Sequence, residues 1–227
     1  MRHLFNKHKF YWSQKQFVLS ALLGLFLLGL SLTVNYYANL YAMQKAGNSV
    51  GDILLNILPV VNTNIIFFEG AIIFFALLFV LMVYEPKGIP FVVKSIALFI
   101  VIRSFFIILT HFGPDPTRAP FDDDAFLAIF TSSADLFFSG HTGLPYLFAL
   151  IFWQQRPWRL FFLGSSIVAA ASVLLAHYHY TIDVASAFFI TFGIYHIAKK
   201  FFKKDYILFL SETQFQPDRE VLIEILS

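Results

Sequence analysis

The chain has no cysteine. That excludes a disulfide framework and any thiolate metal site, though it does not identify the compartment. Charge is also scarce: only 13% of the 227 residues are Asp, Glu, Lys or Arg, against about 25% in an average soluble domain. Too little polar length is left for a separate soluble domain. No internal repeat or low-complexity stretch is present. The net charge of +2 is small, and no nucleic-acid partner is expected.

What the chain has instead is hydrocarbon. Apolar residues make up 58% of it, 30 of them phenylalanine, and mean hydropathy is +0.71. About 20 apolar residues cross a ~30 Å membrane core. Six segments meet that length, near 17–38, 64–84, 91–111, 138–154, 160–177 and 181–199. The expected fold is therefore all-α: a polytopic membrane protein with six transmembrane helices in a bundle. Residues 1–16 would be an N-terminal cytoplasmic segment, 17–199 the membrane domain and 200–227 a cytoplasmic tail. Pro86 and Pro90 punctuate one turn, and Gln154-Gln155-Arg156-Pro157 another. The first span is too long for a signal peptide, and no convincing small-residue cleavage site follows it. In the tail, Glu220 to Leu226 has the pattern of a short amphipathic helix lying on the membrane.

Basic residues orient the bundle. Arg2, Lys7, Lys9 and Lys15 precede the first span. Lys87, Arg156 and Arg159 lie in even-to-odd connections, and Lys199, Lys200, Lys203 and Lys204 follow the last span. The opposite loops hold only Lys45 and Arg118. Both termini are expected in the cytoplasm. The loop 112–135, with Asp115, Asp122, Asp123 and Asp124, reads as a solvated outer loop.

Two polar stretches stand at span edges: Ser139-Gly140-His141-Thr142 and His179-Tyr180-Thr181-Ile182-Asp183. Both fall at the expected outer boundary, so motif and charge agree on one face. Ser-Gly just before a helical run offers free backbone N–H groups and the positive helix end, which favour a bound phosphate. If Thr181 to Asp183 open a helix, the Asp183 carboxylate reaches back to His179 and can orient a nucleophilic imidazole. Arg103 inside an apolar span is costly and therefore functional or paired. Its alternative partner is Glu69, at a compatible depth near the outer end of the second span. Lys94, near the inner end of its span, is expected to snorkel. His177 would face elsewhere on a helix and reads as structural. His3, His8, His111 and His196 have no partner motif.

The wording of these stretches resembles the type 2 phosphatidic acid phosphatase superfamily, and within it the sphingomyelin synthase branch. The similarity rests on Asp135 ahead of Ser139-Gly140-His141-Thr142, on Ala176 to Val184, and on Arg103, Thr110 and Pro114; it covers roughly residues 50–200. The superfamily's Lys-x6-Arg-Pro motif is absent. Ser172 and Val173 stand where it has Ser-Arg, an arginine the sphingomyelin synthase branch also lacks. The branch's Cys-Gly-Asp has Ser133 and Ala134 in place of its first two residues.

The resemblance implies metal-free phosphoryl transfer, with no cofactor. His179 would attack phosphorus, Asp183 would orient it, and His141 would act as acid and then base. Arg103 and the Ser139 and Gly140 backbone would hold the phosphate, with Asp135 and Glu69 as possible supporting residues. The partners implied are membrane lipids: a phospholipid donor and, for transfer, a ceramide or diacylglycerol acceptor. Two other readings stay open from the residues alone. One is a transporter using Arg103 and Glu69. The other is a metal-dependent membrane enzyme built on His177-x-His179 with Asp183.

Overall fold

The computed structural model describes residues 2–120 and 137–211, and every structural statement below concerns these. Asp135 and the 220–226 segment lie outside them. The described residues are helical, with no strand among them. The elements are α1 (Arg2–Trp12), α2 (Lys15–Lys45), α3 (Asn64–Tyr84), a 3-10 turn (Pro86–Gly88), α4 (Ile89–Leu109), α5 (Gly140–Ile151), α6 (Arg156–Leu175), α7 (Thr181–Phe201) and α8 (Lys203–Leu210).

Five helices are long and apolar enough to cross a membrane: α2, α3, α4 with its preceding turn, α6 and α7. The expected fourth span is shorter than anticipated. Its helix α5 has 12 residues, about 18 Å at ~1.5 Å per residue, so it does not qualify as a span alone. Burial explains how it is tolerated. Leu147, Phe148 and Ala149 are fully inaccessible, and α5 packs against both α6 and α7. Backbone that is enclosed by protein does not have to cross lipid unaided.

Lipid tails are as apolar as leucine, so close packing and polar contacts hold such helices together. The interior is correspondingly aromatic. Phe74 of α3, Phe148 and Phe152 around α5 and Phe162 of α6 form a run of tilted and edge-on ring pairs. Phe209 of α8 continues it to Phe152 and to Phe91 of α4. Gly143 lets α5 approach closely. A Cβ there would stand 2.8 Å from Thr191 Oγ1 and 3.0 Å from the Phe99 ring. The outward faces keep large apolar groups such as Phe26, Ile65, Phe79 and Phe189 exposed, as lipid contact requires.

The basic end is built by two short helices that the hydropathy pattern does not foreshadow. In α1, buried Lys7 meets Glu85 at 2.9 Å and donates to the Tyr84 carbonyl at 3.0 Å. A cation there suits the negative end of α3. Helix α8 brings Asp205 to Lys94, correcting the expectation that Lys94 snorkels. Lys94 is buried, with Nζ 2.7 Å from Asp205 Oδ2 and 2.6 Å from Ser20 Oγ. Ser20 in turn donates to Asp205 Oδ1. A lysine with a fixed carboxylate does not need to reach water.

Removing one member of a buried pair strands the other charge, at a cost of about 3–5 kcal/mol. Asp205→Ala should therefore lower stability by that amount. The double replacement Lys94→Met with Asp205→Leu should recover most of it. Thermal unfolding in detergent micelles measures both, and a double variant no better than Asp205→Ala would contradict the assignment.

Candidate active site

The site forms where α4 ends, α5 and α7 begin, and α6 turns back. Helix α6 closes in a Schellman turn: the His177 N–H bonds the Leu174 carbonyl at 3.0 Å, and the Tyr178 N–H bonds the Val173 carbonyl at 2.9 Å. The left-handed position of that turn belongs to His177, at φ 55°, where glycine is usual. His177 is held by its imidazole instead. Nδ1 lies 2.8 Å from Thr117 Oγ1, and Thr117 donates to Asp115 Oδ1 at 2.5 Å.

Three residues after His177, Tyr180 caps α7, and His179 sits between these two caps. Asp183 Oδ2 accepts the Tyr180 N–H at 2.9 Å and faces His179 Nδ1 at 3.4 Å. One carboxylate oxygen thus caps α7 and addresses the imidazole. Both residues are buried. Asp52, in the loop before α3, holds the same turn from outside. Its carboxylate accepts the Thr181 N–H at 2.6 Å and the Thr181 hydroxyl at 2.7 Å. Burial pushes the Asp52 carboxyl up. The hydrogen bonds from the Thr181 side chain and backbone, and from the Leu55 and Leu54 backbone, outweigh it and hold Asp52 below the ordinary carboxylate range.

The first motif docks directly on the second: the Ser139 N–H donates to the Asp183 carbonyl at 3.1 Å. Ser139 is the N-cap of α5, its hydroxyl accepting the Thr142 N–H at 3.4 Å. His141 falls in the first turn of that helix. Its ring is half-buried and stacks on Phe67 of α3, with centroids 3.8 Å apart. Arg103 arrives from the last two turns of α4. Its Nε donates to the Phe138 carbonyl at 2.9 Å, and its side chain lies against Gly140. His141 is within electrostatic reach of His179 and Arg103.

The structure thus brings together His141, His179, Asp183, Arg103, Ser139 and Gly140. It does not bring Glu69 to them. That side chain is exposed on α3 and makes no hydrogen bond or ion pair among the described residues, so the ion pair expected as the structural alternative for Arg103 does not form there. Asp135 lies outside the described residues. His177 and His179 turn their Nδ1 atoms to different partners, Thr117 and Asp183. Among the described residues no three His, Asp or Glu side chains converge in a way that could hold a metal. Val173 is fully buried, and Arg103 lies beside the Ser139–Gly140 turn.

Phe67, Asp52 and Thr117 support the site without being singled out by the sequence. Asp52 left one trace, as a carboxylate within the loop between the first two spans. Phe67 is one phenylalanine among 30, and nothing distinguishes it before the fold does.

With this geometry in place, comparison with known families becomes informative. Residues 132–200 match the family model for the PAP2 superfamily C-terminal region. The matched stretch contains both histidine motifs and leaves Arg103 and Asp52 outside. No curated protein and no solved structure matches the chain.

Gly140 gives a direct test of the Arg103 placement. A Cβ at position 140 would stand 3.1 Å from Arg103 Nε and 3.3 Å from Cζ. Because Nε is already committed to Phe138, the guanidinium has to shift. Misplacement by ~1 Å can cost as much as ~10²-fold in rate. Gly140→Ala should therefore cost roughly tenfold or more in kcat/KM toward a lipid phosphate while the melting temperature changes little. Unchanged kinetics would separate Arg103 from the site.

Proposed function

We propose that the chain is an integral membrane enzyme that cleaves or transfers phosphoryl-containing head groups of lipids through a phosphohistidine intermediate. The observation that carries this reading is the junction of the two motifs, Ser139 N–H to Asp183 carbonyl. It supports a single site, because it joins the turn that carries His179 and Asp183 to the helix start that carries His141 and lies against Arg103. The family match over 132–200 supports it, as do the five long apolar helices.

The division of labour follows from the atoms. With the proton of His179 on Nδ1, toward Asp183, Nε2 carries the lone pair that attacks phosphorus. The bond to the departing alkoxide breaks, and His141 supplies its proton. His141 then removes a proton from water or an acceptor alcohol, whose oxygen displaces His179. Arg103 and the first-turn N–H groups of α5 balance charge on the phosphoryl oxygens. Water as acceptor gives a phosphatase. Ceramide or diacylglycerol as acceptor gives a transferase like the sphingomyelin synthases, which the wording of Ala176 to Val184 favours.

Purified protein incubated with labelled phospholipid, with and without ceramide or diacylglycerol, tests the reading. His179→Ala and His141→Ala should each lower turnover by roughly 10²–10⁴-fold, the range for general acid–base groups, and Asp183→Asn should do likewise. Because the residues act as a unit, the double histidine variant should be little worse than either single one. Activity should persist in chelator and fall with vanadate, which imitates five-coordinate phosphorus. A fully active His179→Ala protein would rule the mechanism out.

The site's sidedness follows from the same reading. The basic residues of α1, α8 and the 3-10 turn gather at the end opposite the histidines, as the Lys7–Glu85 and Lys94–Asp205 pairs require. By the positive-inside rule that end is cytoplasmic, so head groups would be processed on the periplasmic, lumenal or extracellular face. In this cysteine-free chain, Asn48→Cys should react with an impermeant thiol reagent added outside, and Gln155→Cys should not. The reverse pattern would put the chemistry in the cytoplasm.

A further inference from the structure

A second feature lies at the basic end, away from the histidines. A cavity of about 330 Å³ opens between α5, α7 and α8, within the ~300–1,000 Å³ of small-molecule sites. Leu150, Ile151, Phe192 and Leu210 give it apolar walls, and Lys199 and Trp153 stand in its lining. The Lys199 ammonium lies over the rings of Tyr195 and Tyr206, at 5.1 and 5.0 Å. It has no carboxylate partner among the described residues. Asp205, the nearest acidic residue in the sequence, is occupied by Lys94 and Ser20. Arg159 adds a second cation, its guanidinium 4.9 Å from the Trp153 ring.

We propose that this cavity binds an anionic phospholipid from the leaflet at the basic end. The acyl region would lie along Phe192, Leu150 and Ile151, and the phosphate would meet Lys199 and the tyrosine hydroxyls. Charge complementarity selects the occupant: an apolar cleft ending in an unpaired cation fits an anion that carries a hydrocarbon tail. A soluble anion would leave the walls bare, and a neutral lipid would leave Lys199 without a counter-charge. The cavity uses none of the residues assigned to phosphoryl transfer. It would make the protein sensitive to the lipid composition of the opposite leaflet.

Tryptophan quenching tests this. Trp12→Phe with Trp158→Phe leaves Trp153 as the single reporter of the three tryptophans. Brominated phosphatidylglycerol, titrated into the protein in detergent, should quench Trp153 saturably. Its midpoint should be about fivefold lower than that of brominated phosphatidylcholine, the preference one basic residue confers on an anionic head group. Lys199→Gln should abolish the preference, and millimolar inorganic phosphate should leave the quenching unchanged. Equal midpoints for the two lipids, a preference that survives Lys199→Gln, or displacement by phosphate alone would each overturn the proposal. If the tryptophan replacements impair folding, native mass spectrometry of the otherwise unaltered chain gives the same comparison. There, equal retention of both lipids, or retention of phosphatidylglycerol undiminished by Lys199→Gln, counts against the site.

Discussion

One backbone hydrogen bond organises this molecule: the Ser139 N–H to the Asp183 carbonyl, 3.1 Å. It ties the start of α5 to the first turn of α7 between residues 44 positions apart in the chain. With that tie in place, the two polar motifs share one site. His141 follows two residues after Ser139, and His179 precedes Asp183 by one helical turn. The bond also fixes the height of α5, whose 12 residues are held by neighbouring helices. Arg103 completes the arrangement because Gly140 leaves room for its guanidinium.

The bundle was legible in the sequence to the extent that hydropathy controls it. Long apolar runs marked α2, α3, α4, α6 and α7. The fourth run misled on length: the helix α5 within it has 12 residues and is largely enclosed by its neighbours. The contact between His179 and Asp183 could be anticipated from a spacing of four residues. Helices α1 and α8 could not, because their docking depends on pairs such as Lys94 with Asp205, 111 residues apart. Reading Lys94 as snorkelling was reasonable for a lone cation and failed because the cation is not alone. Asp52 and Phe67 escaped for the same reason: their importance comes from what the fold sets beside them.

The two ends use charge differently. At the basic end, Lys7 and Lys94 are buried and answered by Glu85 and Asp205, so their charges hold α1 and α8 in place. At the histidine end the polar groups converge from α4, α5 and α7. A carboxylate addresses the Nδ1 edge of His179, Phe67 supports one face of His141, and Arg103 is anchored through Nε. Preorganised groups of this kind favour developing charge without reorganising when it appears. The first arrangement stabilises the bundle, and the second suits it to chemistry.

The turn around His177 has a consequence for the order of assembly. Helices α6 and α7 are neighbours in sequence and can form a hairpin early, since local contacts close quickly. The residue at the left-handed position between them is held by Thr117, 60 positions upstream. The turn closes on its own local hydrogen bonds, and the His177 imidazole gains its partner only when the 113–119 segment docks against it. His179 sits two residues from that strained position, so it would reach its final orientation among the last steps of maturation. A chain whose 113–119 segment had not yet docked would hold its helices in place while the His179 imidazole was still unaligned.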